Sequence, residues 1–421
     1  MGTYLRHARE LLTLASSLPP SAAEGPWDPS QLGLIADGAV LFDGDRVVAV
    51  GPTRDLDPLC VGLPALQVIE VGDRVVAPGL VDAHTHSLFV GSRADEYSLR
   101  VQGAGYAAIA ARGGGIVRSV TALRDADDTT LRKALDRRLA EMLTHGTTTV
   151  EVKTGYALDA RHELRCLDLL DAAGPWVVPT FLPLHAVPPE HRDHPDGRSR
   201  FLEAMMALTA QVARGGKARF VDAYVDTAGF SVDEARPLLQ RAKALGLRAR
   251  LHLGQFADIG GCELAAALGA ASGDHLEHAS DAGLRAMAEA GVTAVLLPGA
   301  AFSLGQPMPD ARRMRALGVS VALATDMNPG TSHTASLPLM AAFGVRQMGL
   351  STVEAWHALT RVPAQCLGLP DRGRIAVGSR ADLVIYDLPG WEALPYDFGS
   401  PRAVRVWRGG EEIGLSGPGC T

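Results

Sequence analysis

From residue 77 onward, short apolar runs alternate with longer stretches in which apolar residues recur every three or four positions. The short runs occupy 77–86, 147–153, 176–185, 219–226, 248–253, 273–277, 292–298 and 319–325. Helical stretches separate most of them, at 159–172, 200–212, 231–245, 281–290 and 311–317. Each of these ends near Gly or Ala-Gly, where a left-handed residue can stop a helix. Eight strand-then-helix units predict an α/β fold in which parallel strands close into a (β/α)8 TIM-like barrel.

The two chain ends follow a different rule. Around 38–50 and 68–76 the runs are short, β-rich and broken by Asp-Gly and Gly-Asp, the turn chemistry of hairpins. The segments 381–387 and 402–413 repeat that style. Residues 1–75 and 370–421 are therefore expected to build one composite, β-sandwich-like module beside a barrel spanning 76–369.

Composition narrows the function. The 421 residues are 47% hydrophobic and 21% charged, which fits a folded α/β body large enough for an enzyme. A net charge of −7 offers no positive field for nucleic acid or anionic membrane, so a small molecule is the expected partner. Segment 1–18 mixes Arg6, His7, Arg9 and Glu10 with leucines and has no continuous apolar stretch. It predicts neither a signal peptide nor a spanning helix, and a cytoplasmic protein is expected. Five scattered cysteines, Cys60, Cys166, Cys262, Cys366 and Cys420, read as reduced packing residues.

Candidate chemistry gathers where a barrel puts its active site, at the C-terminal strand ends. His84 and His86 end the first run, His185 the third, and His252 and His275 fall in the fifth and sixth, while Asp326 follows the eighth. Three neutral imidazoles and one carboxylate suit Zn2+ or Fe2+ and leave one position open for water. Hydrolysis follows as the natural reaction. Some barrel hydrolases hold two metals bridged by a carboxylated lysine on the fourth strand. Here that strand ends Tyr224-Val-Asp-Thr227, and Lys153 ends the second, so one metal is expected. Roughly sixty residues separate the first two strands, and an insertion of that length reads as a lid or substrate loop. The charge-rich stretch 125–141 within it reads as a solvated face.

Several motifs carry a family resemblance over most of residues 36–388. They are Pro78-Gly-Leu-Val-Asp-Ala-His-Thr-His86, Gly91-Ser-Arg-Ala-Asp-Glu96, Gly113-Gly-Gly-Ile116, Val150-Glu-Val-Lys-Thr-Gly-Tyr156, His185-Ala-Val-Pro-Pro189, Asp274-His-Leu-Glu277, Leu296-Leu-Pro-Gly299 and Ala324-Thr-Asp-Met-Asn-Pro-Gly-Thr331. By these the chain resembles the amidohydrolase superfamily and, more narrowly, the imidazolonepropionase family. The resemblance implies cleavage of a cyclic amide C–N bond, opening 4-imidazolone-5-propanoate to N-formimino-L-glutamate in histidine degradation, by a homodimer. It also implies metal ligands His84, His86, His252 and Asp326, and substrate contacts from Arg93, Tyr156, His185, Asn328, Gly330 and Thr331.

Residue chemistry agrees in part. A propionate tail calls for two parallel donors, which the guanidinium of Arg93 supplies. Tyr156 can cover a planar ring, and His185 can donate to the substrate carbonyl. Backbone donors around Asn328, Gly330 and Thr331 can reach a carboxylate, although Asn-Pro-Gly is equally a turn sequence. His275 and Asp326 are expected to orient and deprotonate the attacking water. Gln255, counted among both the catalytic and the substrate-contacting candidates, departs from the family, which more often has Glu there. A neutral amide can hydrogen-bond in the site but cannot act as a base. Two other readings fit parts of the pattern: a heterocycle deaminase on the same barrel, and a non-catalytic barrel module.

Overall fold

In the computed structural model of the chain, residues 2–16, 27–63, 65–103, 114–192, 194–399 and 403–415 are described. Fifteen strands are found among them. From the N-terminal side come β1 (Thr3–Leu12), β2 (Leu34–Asp43), β3 (Arg46–Pro52) and β4 (Gln67–Pro78). The central series is β5 (Leu80–Asp82), β6 (Thr147–Lys153), β7 (Val177–Leu184), β8 (Phe220–Val225), β9 (Arg248–Leu253), β10 (Ser272–His275), β11 (Thr293–Leu296) and β12 (Val321–Leu323). The chain ends with β13 (Leu383–Tyr386), β14 (Ala403–Arg408) and β15 (Glu411–Ile413).

Strands β5 to β12 lie side by side in chain order, each parallel to the next. Past their ends the first and last strands meet. Thr85 bridges Met327 in parallel, His86 N–H donates to the Met327 carbonyl at 2.9 Å, and Asp326 N–H donates to the His84 carbonyl at 3.0 Å. The expected barrel is thus closed by the segments that carry His84, His86 and Asp326. Helices cover its outside where the periodicity placed them, and most start at a side-chain cap; Gly197–Gly215 does not. Asp159 caps Ala160–Asp171, Ser231 and Glu234 form a capping box on Val232–Ala244, and Ser280 caps Asp281–Glu289.

The remaining seven strands form one continuous mixed sheet, in the order β15-β14-β13-β4-β1-β2-β3. Its hairpin between β2 and β3 turns on Gly44, whose φ of 52° is open to glycine at no steric cost. Leu5, Phe42, Val47, Ile385 and Trp407 give this sheet a core of its own.

Two expectations need correction. The run 77–86 is not one strand. Ala77 and Pro78 pair with Val384 and Leu383 in the end sheet, and the barrel strand starts only at Leu80. Gly79 makes the step possible, because a Cβ there would lie 2.1 Å from the Thr148 hydroxyl. The charge-rich stretch is also not purely a solvated face. In the helix Asp128–Thr144, Arg138 is buried against the Phe89 ring and donates to the carbonyls of Ser87 (3.0 Å) and Phe89 (2.7 Å). It pins the segment that follows His86. Gly113 and Cys420, named above, lie outside the described residues, as do 104–112 of the insertion.

Candidate metal centre and substrate pocket

The histidines do converge. His84 and His86 follow β5, His252 lies within β9, and their ligand-capable nitrogens fall within 4.8 Å of one another, all buried. His86 Nε2 lies 3.2 Å from His252 Nε2, and Asp326 Oδ1 lies 3.6 Å from Nε2 of both His84 and His86. Atoms that share one ion at about 2.0–2.1 Å stand about 3 to 4 Å apart, so these spacings fit a single divalent metal.

Hydrogen bonding points the nitrogens inward. His84 Nδ1 donates to Asp274 Oδ2 at 2.6 Å, and His252 Nδ1 donates to Asp222 Oδ1 at 3.1 Å. A carboxylate can only accept, so each ring keeps its proton on Nδ1 and leaves a bare lone pair on Nε2. His84 Nε2 is buried and has no hydrogen-bond partner among the described residues, the state of an atom awaiting a cation. Burial drives His84 and His86 well below the usual imidazole range, and His252 is lowered as well. Neutral rings are what a metal needs.

Beneath them sits a charge network that sequence reasoning missed. Lys153 Nζ reaches Glu151 Oε1 and Asp222 Oδ2 at 2.8 Å each, and Arg250 Nη2 donates to Asp274 Oδ2 at 3.1 Å. All five side chains are fully buried. Burial alone would raise the Asp222 carboxyl, but His252 and Lys153 pull it well below the usual range. Alternation gave the only signal: Asp222, Arg250 and Asp274 are polar residues inside otherwise apolar strand runs, which a barrel tolerates only when they are paired.

Two residues of the cluster sit in strained backbone. His275 has φ 79° and Asp326 φ 50°, left-handed values that cost a non-glycine residue of order 1–3 kcal/mol. Both side chains are buried at the pocket floor, and the His275 ring lies 5.5 Å from that of His252. Burial pushes the Asp326 carboxyl up to about 7, with His275 opposing. Burial opposes the imidazolium of His275, yet Glu277, Asp326 and Asp274 outweigh it and raise that ring.

The centre opens into a pocket of about 510 Å³ that also reaches Arg93, Tyr156, His185, Gln255, Asn328 and Thr331. His185 follows β7, and its Nδ1 donates to the Gly155 carbonyl at 2.9 Å. Burial lowers its pKa to about 3, so the ring is neutral and Nε2 is an acceptor. A ring in this tautomer offers an acceptor at Nε2, where donation to a substrate carbonyl was expected. Gln255 Oε1 accepts from the Tyr224 hydroxyl at 2.8 Å, which leaves its amide N–H groups as donors.

Tyr156 stands on a loop gathered by one carboxylate. Glu163 Oε1 accepts from the N–H groups of Gly155 (3.2 Å), Ala157 (3.2 Å) and Leu158 (2.8 Å). Across the pocket, Asn328 Oδ1 accepts from Gly330 N–H (2.8 Å) and Thr331 N–H (2.7 Å), while its amide donates to the Asp326 carbonyl (2.7 Å). Those backbone donors are engaged within the turn, as its Asn-Pro-Gly sequence allows. The turn also seats Arg93. Its Nε donates to Glu96 Oε2 at 2.8 Å, and a Cβ on Gly330 would lie 2.6 Å from Nη1.

Comparison with known proteins agrees with this picture. The amidohydrolase family pattern matches residues 75–413. The chain belongs to the amidohydrolase family, hydrolases that work with a divalent metal, and its barrel and histidine cluster fit that class. Over 417 residues it is 41% identical to an imidazolonepropionase of Geobacillus kaustophilus, covering 97% of each chain. An imidazolonepropionase of Anaeromyxobacter dehalogenans is 43% identical over 393 residues, covering 91% of this chain and 92% of that one. At this similarity the chain's place is with the imidazolonepropionases.

Solved structures of similar fold include a zinc-complexed atrazine chlorohydrolase from Arthrobacter aurescens, with a TM-score of 0.70 at 18% identity, covering 97% of this chain and 94% of that one. A zinc-bound adenosine deaminase from Xanthomonas campestris gives a TM-score of 0.70 at 18% identity over 97% and 92%. Among the described residues no helix is long and apolar enough to cross a membrane.

Proposed function

We propose that this chain hydrolyses the cyclic amide bond of 4-imidazolone-5-propanoate to give N-formimino-L-glutamate, a step of histidine degradation. The observation that carries the reading is a pocket lined by His86, His252 and Asp326, with His84 clustered behind them, and by the guanidinium of Arg93. A heterocycle deaminase could share the cluster but has no need of a cation for a carboxylate tail. Near-full-length identity to imidazolonepropionases supports the choice.

The four cluster side chains would hold the ion, Zn2+ or Fe2+. Such an ion, when bound, polarises a carbonyl and brings hydroxide within reach of neutral pH. Arg93 takes the propionate tail through Nη1 and Nη2, since its Nε is held by Glu96. His185 Nε2 accepts a ring N–H, and the Gln255 amide donates to an acceptor of the heterocycle. Tyr156 covers the ring face, 5.2 Å from His185 between centroids.

Proton movement falls to Asp326 and His275. The Asp326 carboxylate, buried beside His275, can take a proton from the attacking water and pass it to the ring nitrogen as the C–N bond breaks. His275, raised by its acidic neighbours, can hold a proton at the developing oxyanion. Gln255 takes no part in proton transfer. Turnover of freshly generated imidazolone propionate, set beside purine and pyrimidine amines, tests the reading. Ring opening of the imidazolone acid alone is expected, and release of ammonia from the amines with no ring opening would overturn it.

A further inference from the structure

The carboxylate end of the pocket holds more positive charge than Arg93 alone supplies. Arg100, near the end of the helix Ala94–Val101, lines the same pocket. Its Nη2 donates to the Gly330 carbonyl at 3.1 Å, so it grips the turn against which the Arg93 guanidinium lies. Its Nη1 is buried and has no hydrogen-bond partner among the described residues. A buried guanidinium N–H without an acceptor is costly, which makes it a donor waiting for a ligand.

Charge counting gives the ligand's sign. Among the described residues, the acid in contact with this group is Glu96, which takes Arg93 Nε on Oε2 and Gly115 N–H on Oε1 at 3.0 Å. Arg118 comes within 3.9 Å of Glu96 but is matched by Asp95 at 2.6 Å. Two guanidinium charges against one carboxylate leave a surplus of one positive charge, the complement of one carboxylate.

We propose that Arg100 is a second substrate-binding residue, which with Arg93 forms a paired guanidinium cradle for a single carboxylate and selects substrates that carry one. This rests on the carboxylate-bearing substrate proposed above. The cradle explains why the 328–331 turn spends its own donors internally: it serves as a backing for two arginines rather than as the anion site.

The test compares wild type, Arg100→Met and Arg100→Lys, each loaded with metal. Calorimetry would measure binding of imidazole-4-propionate and of its uncharged amide. Arg100→Met is expected to weaken the acid on the order of tenfold to a hundredfold and to leave the amide within about twofold. Arg100→Lys, which keeps the charge, should recover part of the loss. Equal weakening of acid and amide would reduce Arg100 to a clamp on the turn, and unchanged binding of both would remove it from the site; either result overturns the proposal. Circular dichroism and metal content identify a misfolded Met variant, in which case the Lys variant decides by the same acid-to-amide ratio. Wild-type enzyme that distinguishes acid from amide yet leaves the imidazolone ring intact would fail the proposed reaction and not the cradle.

Discussion

The Nε2 atoms of His86 and His252 face each other across 3.2 Å inside a closed barrel, and the Nδ1 of His252 is committed to Asp222. A bare imidazole lone pair in that position is stabilised by a cation. The carboxylates behind the rings therefore set metal affinity. Asp222→Asn is expected to weaken divalent metal binding about tenfold to a hundredfold, read by competition with a chromophoric chelator. An unchanged affinity would mean that the ring is oriented by packing alone.

His275 borders the ligands without being counted among them, its ring 5.5 Å from that of His252 and 6.0 Å from that of His84, with its Nδ1 3.7 Å from Glu277. Replacing it with Phe should leave metal content close to wild type and lower kcat about 10²- to 10⁴-fold, the usual scale of a lost proton-transfer group. Normal turnover with normal metal content would remove His275 from the chemistry.

Arg93 is held at Nε by Glu96, so its remaining donors arrive already oriented. Arg93→Met should raise KM for the imidazolone acid on the order of tenfold to a hundredfold, with kcat changed far less. Steady-state kinetics decide this, and a loss confined to kcat would contradict a binding role.

Glu163 makes the Tyr156 loop sensitive to pH. Burial raises its pKa from 4.5 to about 7 against the pull of its hydrogen-bond donors. The folded state then binds this proton more tightly than the unfolded chain, so the contribution to stability is present below about pH 4.5 and is lost as pH rises towards 7. The loss amounts to no more than about 3 to 4 kcal/mol. Tm measured from pH 4.5 to 8 for wild type and Glu163→Gln should show the two curves converging at low pH and the wild type falling further behind as pH rises. Parallel curves would contradict it.

Much of this site was legible because barrels put chemistry at strand ends, and a histidine at the end of an apolar run is conspicuous. His84, His86, His185, His252, His275 and Asp326 all announce themselves that way. Their supports do not. Asp222 and Arg250 alternate inward from mid-strand, and only the closed barrel shows that they meet His252 and Asp274. Arg138 and Glu163 sit on helices with ordinary surface patterns, and the backbone carbonyls and N–H groups they engage are set by tertiary structure. The direction of the His185 hydrogen bond was equally hidden, because it depends on Gly155 coming within 2.9 Å. The break at Gly79 needed the end sheet, whose β13 strand arrives three hundred residues later.

The most direct measurement couples elemental analysis to turnover of imidazolone propionate by the same preparation. About one divalent ion per chain is predicted, with ring opening that disappears on chelation and returns in proportion to the metal restored. Full activity in protein holding less than a tenth of an equivalent of any divalent metal would contradict the account.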